Sequence, residues 1–185
     1  MNSKTRTLCE AAMLLAAAQV LSYINFSRMP DGGSITFAMV PIVLFGVRHG
    51  VGWGALAGFV YGLMQYFIGG GISIDWTSMI CDYLIAYTLL AAGAGVFYRR
   101  KYGVFFGTLL GGGLQFLSSY LVGVFIWGQW MPEEFLGLTM TTPWFYSFLY
   151  NIIWAAPCIV LALLAFGVSY KALRKYYTGA DLAAK

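Results

Sequence analysis

Long charge-free stretches, broken only by short charged clusters, constrain this chain more than any other feature. Between Arg6 and Arg28 the one formal charge is Glu10. No charge interrupts Gly32–Val47, Gly50–Ile74, Leu84–Tyr98, Tyr102–Pro132 or Phe135–Tyr170. Backbone amides in hydrocarbon must be satisfied within the segment itself, so such stretches enter a bilayer as helices. A span needs about 20 apolar residues. The pattern predicts an all-α polytopic membrane protein with six transmembrane helices, at about 7–25, 35–48, 50–69, 76–98, 103–128 and 143–175. The second of these is short enough to cross only part of the bilayer or to tilt. One compact membrane domain, residues 1–185, accounts for the whole length.

The basic residues orient the helices. Lys4 and Arg6 precede helix 1, and Arg48 with His49 joins helices 2 and 3 in an inner loop. Arg99, Arg100 and Lys101 join helices 4 and 5, while Lys171, Arg174 and Lys175 close helix 6. Asp31, Asp75, Glu133 and Glu134 fall on the other side, where Arg28 is the lone cation. The positive-inside rule then places both termini on the cytoplasmic side of the plasma membrane. Helix ends fit this map: Thr142-Pro143 opens helix 6 as cap and first residue, Asp75 caps helix 4, and Gly69-Gly70-Gly71 ends helix 3. Glycines recur every four residues at 50, 54, 58 and 62 and again at 103, 107 and 111, a spacing that lets helices approach closely in lipid.

Composition removes several classes. The chain is 60% hydrophobic and 10% charged, against about 25% charged in soluble domains. Its net charge of +4 reflects membrane orientation rather than a nucleic-acid surface. Cys9, Cys81 and Cys158 sit in apolar runs without metal-ligand spacing, so no metal or cofactor is expected. The single histidine, His49, is far from Asp82 and from Ser118 and Ser119, and no HExxH, paired aspartate or phosphate-cradling loop appears. Catalysis is not expected, and any energy from ATP would have to come from other subunits.

Asp82 lies deep in the apolar run Ser78–Leu90. A carboxylate in hydrocarbon costs several kcal/mol and persists with a partner or a task. At similar depth fall Tyr83 beside it, Trp127 at the outer end of helix 5 with Trp130 in the loop that follows, and Tyr146, Tyr150, Asn151 and Trp154 in the first turns of helix 6. Each alone reads as an interfacial aromatic or a helix–helix contact; together they read as an aromatic box with one negative charge and one amide, suited to a cationic heterocycle. Glu10, near the inner face, is expected at the interface or in a helix contact, with no ligand role.

The run from Met29 to Gly50, MPDGGSITFAMVPIVLFGVRHG, resembles the outer loop and second helix of the thiamine-specific S-components of energy-coupling factor (ECF) transporters. Cys81-Asp-Tyr-Leu-Ile-Ala-Tyr87 is similar to that family's acidic-Tyr motif, and Gly123-x-x-x-Trp127 and Tyr146-Ser-x-x-Tyr-Asn151 are similar to its motifs in helices 5 and 6. The likeness runs in order along nearly the whole chain. It implies capture of extracellular thiamine, with Asp82 facing the thiazolium, Trp127 stacking on a ring, Tyr146 and Asn151 bonding the ligand, Gly123 leaving room for it, and Tyr83 beside it. Ser119, Tyr150 and Trp130 are further candidates. Ala12 and Ala16 fit the family's helix-1 AxxxA pattern for docking the transmembrane coupling subunit, which is driven by two ATPase subunits. Where some members carry Glu, a His and an outer-loop Trp, this chain has Asp82, Ser119 and Gly32-Gly33.

Two other readings remain at this level. The same scaffold would also suit another vitamin, a pyrimidine or pyridoxine relative, with Asp82 accepting from ring N–H groups. Alternatively, the alanine and glycine faces would only assemble partners, in a membrane subunit that transports nothing.

Overall fold

The computed structural model describes residues 3–30 and 32–183. Asp31, assigned to the outer side from its sequence position, lies outside them. Helix α1 spans Ser3–Tyr23 and leads into a two-residue antiparallel pair, β1 (Ser27–Arg28) with β2 (Ser34–Ile35). Then comes α2 (Met39–Phe67). The expected fourth helix is composite: α3 (Trp76–Met79), a π-helical turn (Ile80–Ile85) and α4 (Ala86–Gly95). Helix α5 (Gly103–Phe125) ends in a 3-10 turn (Trp127–Trp130), followed by the pair β3 (Glu134–Phe135) and β4 (Leu138–Thr139). Helix α6 (Pro143–Tyr177) and the short α7 (Ala180–Ala183) complete the chain. The two small β-pairs were not anticipated. Each is only a pinned loop at the same end of the bundle.

The expected helices 2 and 3 form one element interrupted at Gly50, whose φ of 85° is open to glycine and strained for other residues. A Cβ on Gly54 would stand 3.3 Å from the Gly46 Cα. In a straight helix those residues are about 12 Å apart, so the chain doubles back at Gly50. The arm 39–49 is about 16 Å long at 1.5 Å per residue, roughly half of a 30 Å hydrocarbon core. Among the described residues, four helical stretches are by length and composition long and apolar enough to cross a membrane: Met39–Phe67 (both arms taken together), Trp76–Gly95, Gly103–Phe125 and Pro143–Leu182.

Both glycine rows have a packing cause. Cβ atoms on Gly54 and Gly62 would approach the carbonyls of Ala91 and Tyr83 to 2.6 Å, and one on Gly58 would collide with that of Tyr87. These carbonyls are themselves four residues apart, so two equal repeats mesh along α2 and α4. On the other side of α4, Gly107 and Gly111 abut Ala94 and Leu90. Helix α4 is thereby held between α2 and α5, and Val43, Phe45, Val47, Tyr61, Leu90 and Ala94 fill the core. The caps fall where the sequence places them: Asp75 accepts from Ser78 N at 2.7 Å and Thr142 from Phe145 N at 3.2 Å.

One expectation is corrected. Arg48 and His49 do not belong to an exposed inner loop: they lie within α2 at its reversal, and the Arg48 side chain is 1% exposed. Arg48 pairs with Glu10, holds Asp181 through two 2.9 Å bonds and stacks its guanidinium 3.5 Å from the Tyr176 ring centroid. His49 Nε2 lies 3.1 Å from the second Glu10 oxygen. Buried charge must be paired, and Glu10 from α1 with Asp181 from α7 supplies the counter-charge. Glu10 is thus a helix contact, as expected, but a buried one.

Candidate functional site

At the opposite end of the bundle, the helix ends and loops enclose a cavity of about 420 Å³. That volume is within the ~300–1,000 Å³ usual for small-molecule sites. Among the described residues lining it, Asp82 is the only acidic side chain and Arg28 the only basic one. Tyr83, Gly123, Trp127, Tyr146 and Asn151 line it, and so do Ser119, Tyr150 and Trp130. Every candidate from the aromatic-box reading therefore reaches one cavity. Ala12 and Ala16 do not belong to it; they are exposed along the outer face of α1 with Leu8 and Val20.

Asp82 sits in the π-helical turn. The Ala86 N–H bonds back to the Cys81 carbonyl, five residues earlier, and Ser118 Oγ from α5 also donates to that oxygen at 3.5 Å. A π-turn adds a residue to the helix and rotates the side chains that follow, which is why such turns recur at functional sites. Asp82 Oδ2 accepts from Trp127 Nε1 at 2.9 Å and from Ser78 Oγ at 3.2 Å. Two donors hold one carboxylate oxygen, and no described cation pairs with the other.

The walls are held by hydrogen bonds to loop backbone. Tyr83 Oη accepts from Ile72 N at 2.7 Å and donates to Ile72 O at 3.0 Å, so it pins the loop that follows α2. Tyr150 Oη donates to Gly32 O at 2.8 Å, and Cys158 Sγ to Ser34 O at 3.4 Å, which pins the β1–β2 loop against α6. Gly33 (φ 81°) approaches Trp154 so closely that a Cβ would stand 2.8 Å from the indole Cδ1. Tyr146 packs edge-on to Phe135, joining the β3–β4 pair to the same wall.

Two candidates have an added structural duty. Asn151 Nδ2 donates to Ser147 O at 2.9 Å and Oδ1 accepts from Trp154 Nε1 at 3.2 Å, which fixes the amide. A Cβ on Gly123 would collide with Ser147 Oγ, whose hydroxyl donates to Tyr120 O at 2.7 Å. Gly123 thus lets α5 and α6 close on each other as well as lining the cavity. Polar linings not singled out as site residues from the sequence include Ser22, Asn25, Arg28, Thr36, Gln65 and Gln115. Gln115 is only 5% exposed and the buried Gln65 Oε1 has no partner; a glutamine in a helix carries no signal of where it faces. Among the described residues no group of His, Cys, Asp and Glu could hold a metal ion.

Comparison with known proteins agrees with this architecture. Residues 8–178 match the thiamine transporter protein family (Thia_YuaJ). The thiamine transporter ThiT of Bacillus subtilis (strain 168) is 27% identical over 171 residues, covering 85% of this chain and 86% of the relative. That of Lacticaseibacillus paracasei is 27% identical over 176 residues, covering 87% and 85%. A solved ThiT structure from Listeria monocytogenes superposes with a TM-score of 0.82 at 21% identity, covering 95% of this chain and 99% of that one, and so shares the fold. These relatives are named for transport rather than for a reaction. The chain is a multi-pass plasma-membrane protein.

Proposed function

Because the chain belongs to the thiamine transporter protein family, we infer that the cavity binds thiamine and that the protein is the substrate-binding S-component of an ECF importer. In this reading residues 1–185 form one membrane domain of six spans with both termini cytoplasmic, and the cavity opens to the outside. The observation that carries the reading is Asp82, the single acidic side chain among the described residues of an aromatic-lined cavity.

The thiazolium nitrogen is quaternary and has no proton to lose, so the ring is cationic at neutral pH. Asp82 would provide its counter-charge in low dielectric, where a charge pair is worth far more than in water. The Trp127 ring, its N–H already given to Asp82, would offer a π-face, and a desolvated cation–π contact contributes about 2 kcal/mol. Tyr146 and Asn151 would bond the ligand's polar edge, with Tyr83, Tyr150, Ser119, Trp130 and Gly123 shaping the remaining walls. The exposed alanines at 12 and 16 would dock the coupling subunit, through which two ATPase subunits drive delivery to the cytoplasm.

Calorimetric titration of the purified protein tests the reading. Thiamine is expected to bind tightly, whereas pyridoxine and uncharged pyrimidines are expected to compete poorly. Equal affinity for an uncharged analogue would overturn the role of charge, and no affinity for thiamine would overturn the assignment.

A further inference from the structure

The end of the molecule opposite the cavity carries a separate feature. Glu10 and Asp181, its two described carboxylates, are taken up by Arg48, His49 and Arg6. Arg99, Arg100, Lys101, Lys171, Arg174 and Lys175 are left exposed, and none forms an ion pair with a described carboxylate. Two elements bring them together. Arg99 packs on the α6–α7 turn, its Cγ and Nε 3.1 Å from where a Cβ on Gly179 would stand. Tyr102 stacks on Tyr170 of α6 with centroids 5.5 Å apart.

Aromatic rings interleave with the cations. Lys101 Nζ lies 5.2 Å from the Tyr102 centroid and the Arg99 guanidinium 4.8 Å from that of Tyr98, and both tyrosines are exposed. Exposed tyrosines at the ends of membrane-crossing helices sit at headgroup depth. The cations beside them therefore stand within a Debye length, about 8 Å, of the leaflet surface.

We propose that the Arg99–Tyr102 turn and the last turns of α6 form a binding surface for anionic phospholipid, recognising the phosphodiester headgroup through uncompensated guanidinium and ammonium groups. Phosphate suits this surface because arginine donates to it in a planar fork and lysine as a point charge. An acidic protein partner is disfavoured, because the cations are attached at the bilayer plane between membrane-seated rings. The proposal is independent of which ligand the cavity takes.

The test is lipid retention. Protein reconstituted in nanodiscs of phosphatidylcholine mixed with phosphatidylglycerol is extracted, and its bound lipid is counted by native mass spectrometry. Wild type is expected to enrich phosphatidylglycerol several-fold, with the enrichment falling as salt rises. A variant carrying Arg100→Gln, Lys101→Gln, Lys171→Gln, Arg174→Gln and Lys175→Gln is expected to lose the enrichment while binding thiamine as before. Arg99 is kept because it packs on Gly179. Should the variant fold poorly, the salt series on wild type decides alone. Equal retention of the two lipids by wild type, or enrichment that survives neutralisation or high salt, would overturn the proposal.

Discussion

Trp127 Nε1 donates to Asp82 Oδ2 across 2.9 Å, joining the 3-10 turn after α5 to the π-helical turn before α4. The bond spans 45 residues of sequence and sets the carboxylate and an indole ring in one fixed relation. One oxygen of Asp82 is held by donors, and the group enters a polar site already oriented.

Replacing Asp82 with Asn is expected to weaken thiamine binding by roughly thirtyfold to several thousandfold, since truncating one partner of a buried charge pair costs ~2–5 kcal/mol. The empty protein should keep or raise its thermal midpoint, because a buried carboxylate with no described counter-cation is replaced by a neutral amide whose oxygen can still accept from Trp127 and Ser78. Calorimetry and a melting curve separate the two effects, and near-normal affinity would end the charge role.

Trp127→Phe keeps a ring but removes the N–H donor. A hydrogen bond to a charged group contributes ~1.5–3 kcal/mol to stability, and this one is already made without ligand, so the melting temperature should fall and affinity should fall with the loss of the carboxylate's fixed orientation. Tryptophan emission, expected to be quenched by thiamine in wild type, should lose most of that response. Unchanged quenching would place the ligand away from this ring.

Gly58→Ala is a packing test with no cavity contact. Its methyl would collide with the Tyr87 carbonyl, which is backbone and cannot step aside. Overpacking of this kind costs ~1–3 kcal/mol, and a lowered melting temperature in detergent is expected. Gly52→Ala, which meets nothing within 4 Å, serves as the control and should melt close to wild type.

Arg48→Met leaves Glu10 buried without its main partner. Breaking a buried pair from one side costs ~3–5 kcal/mol, so the variant should be strongly destabilised. Adding Glu10→Gln should recover part of the loss, as a double-mutant cycle read by thermal melting would reveal. Additive losses would show that the two side chains act separately.

Much of this was readable before any coordinates. Hydropathy marks the apolar segments, Asp75 and Thr142 announce their caps, and the four-residue glycine repeats announce close helix contacts. The cavity-lining candidates were legible because charge and aromatic rings at matched depth are unusual in an apolar chain. Gln65 and Gln115 were not, since a helical glutamine is equally at home in a cavity, a helix contact or a headgroup layer. The π-turn at Asp82 was not either: Ile80–Ile85 contains no glycine or proline, and the turn rests on partners from α5 such as Ser118.

What the residues determined by themselves is local and additive: which stretches are apolar enough for lipid, where the cations gather, and which side chains have the chemistry of a cation site. Folding alone decided that Arg48 is buried rather than solvated, because its partners Glu10 and Asp181 lie 38 and 133 residues away. Transfer into lipid is a sum over neighbours in the chain, whereas burial of a charge is settled by whichever distant group arrives to neutralise it.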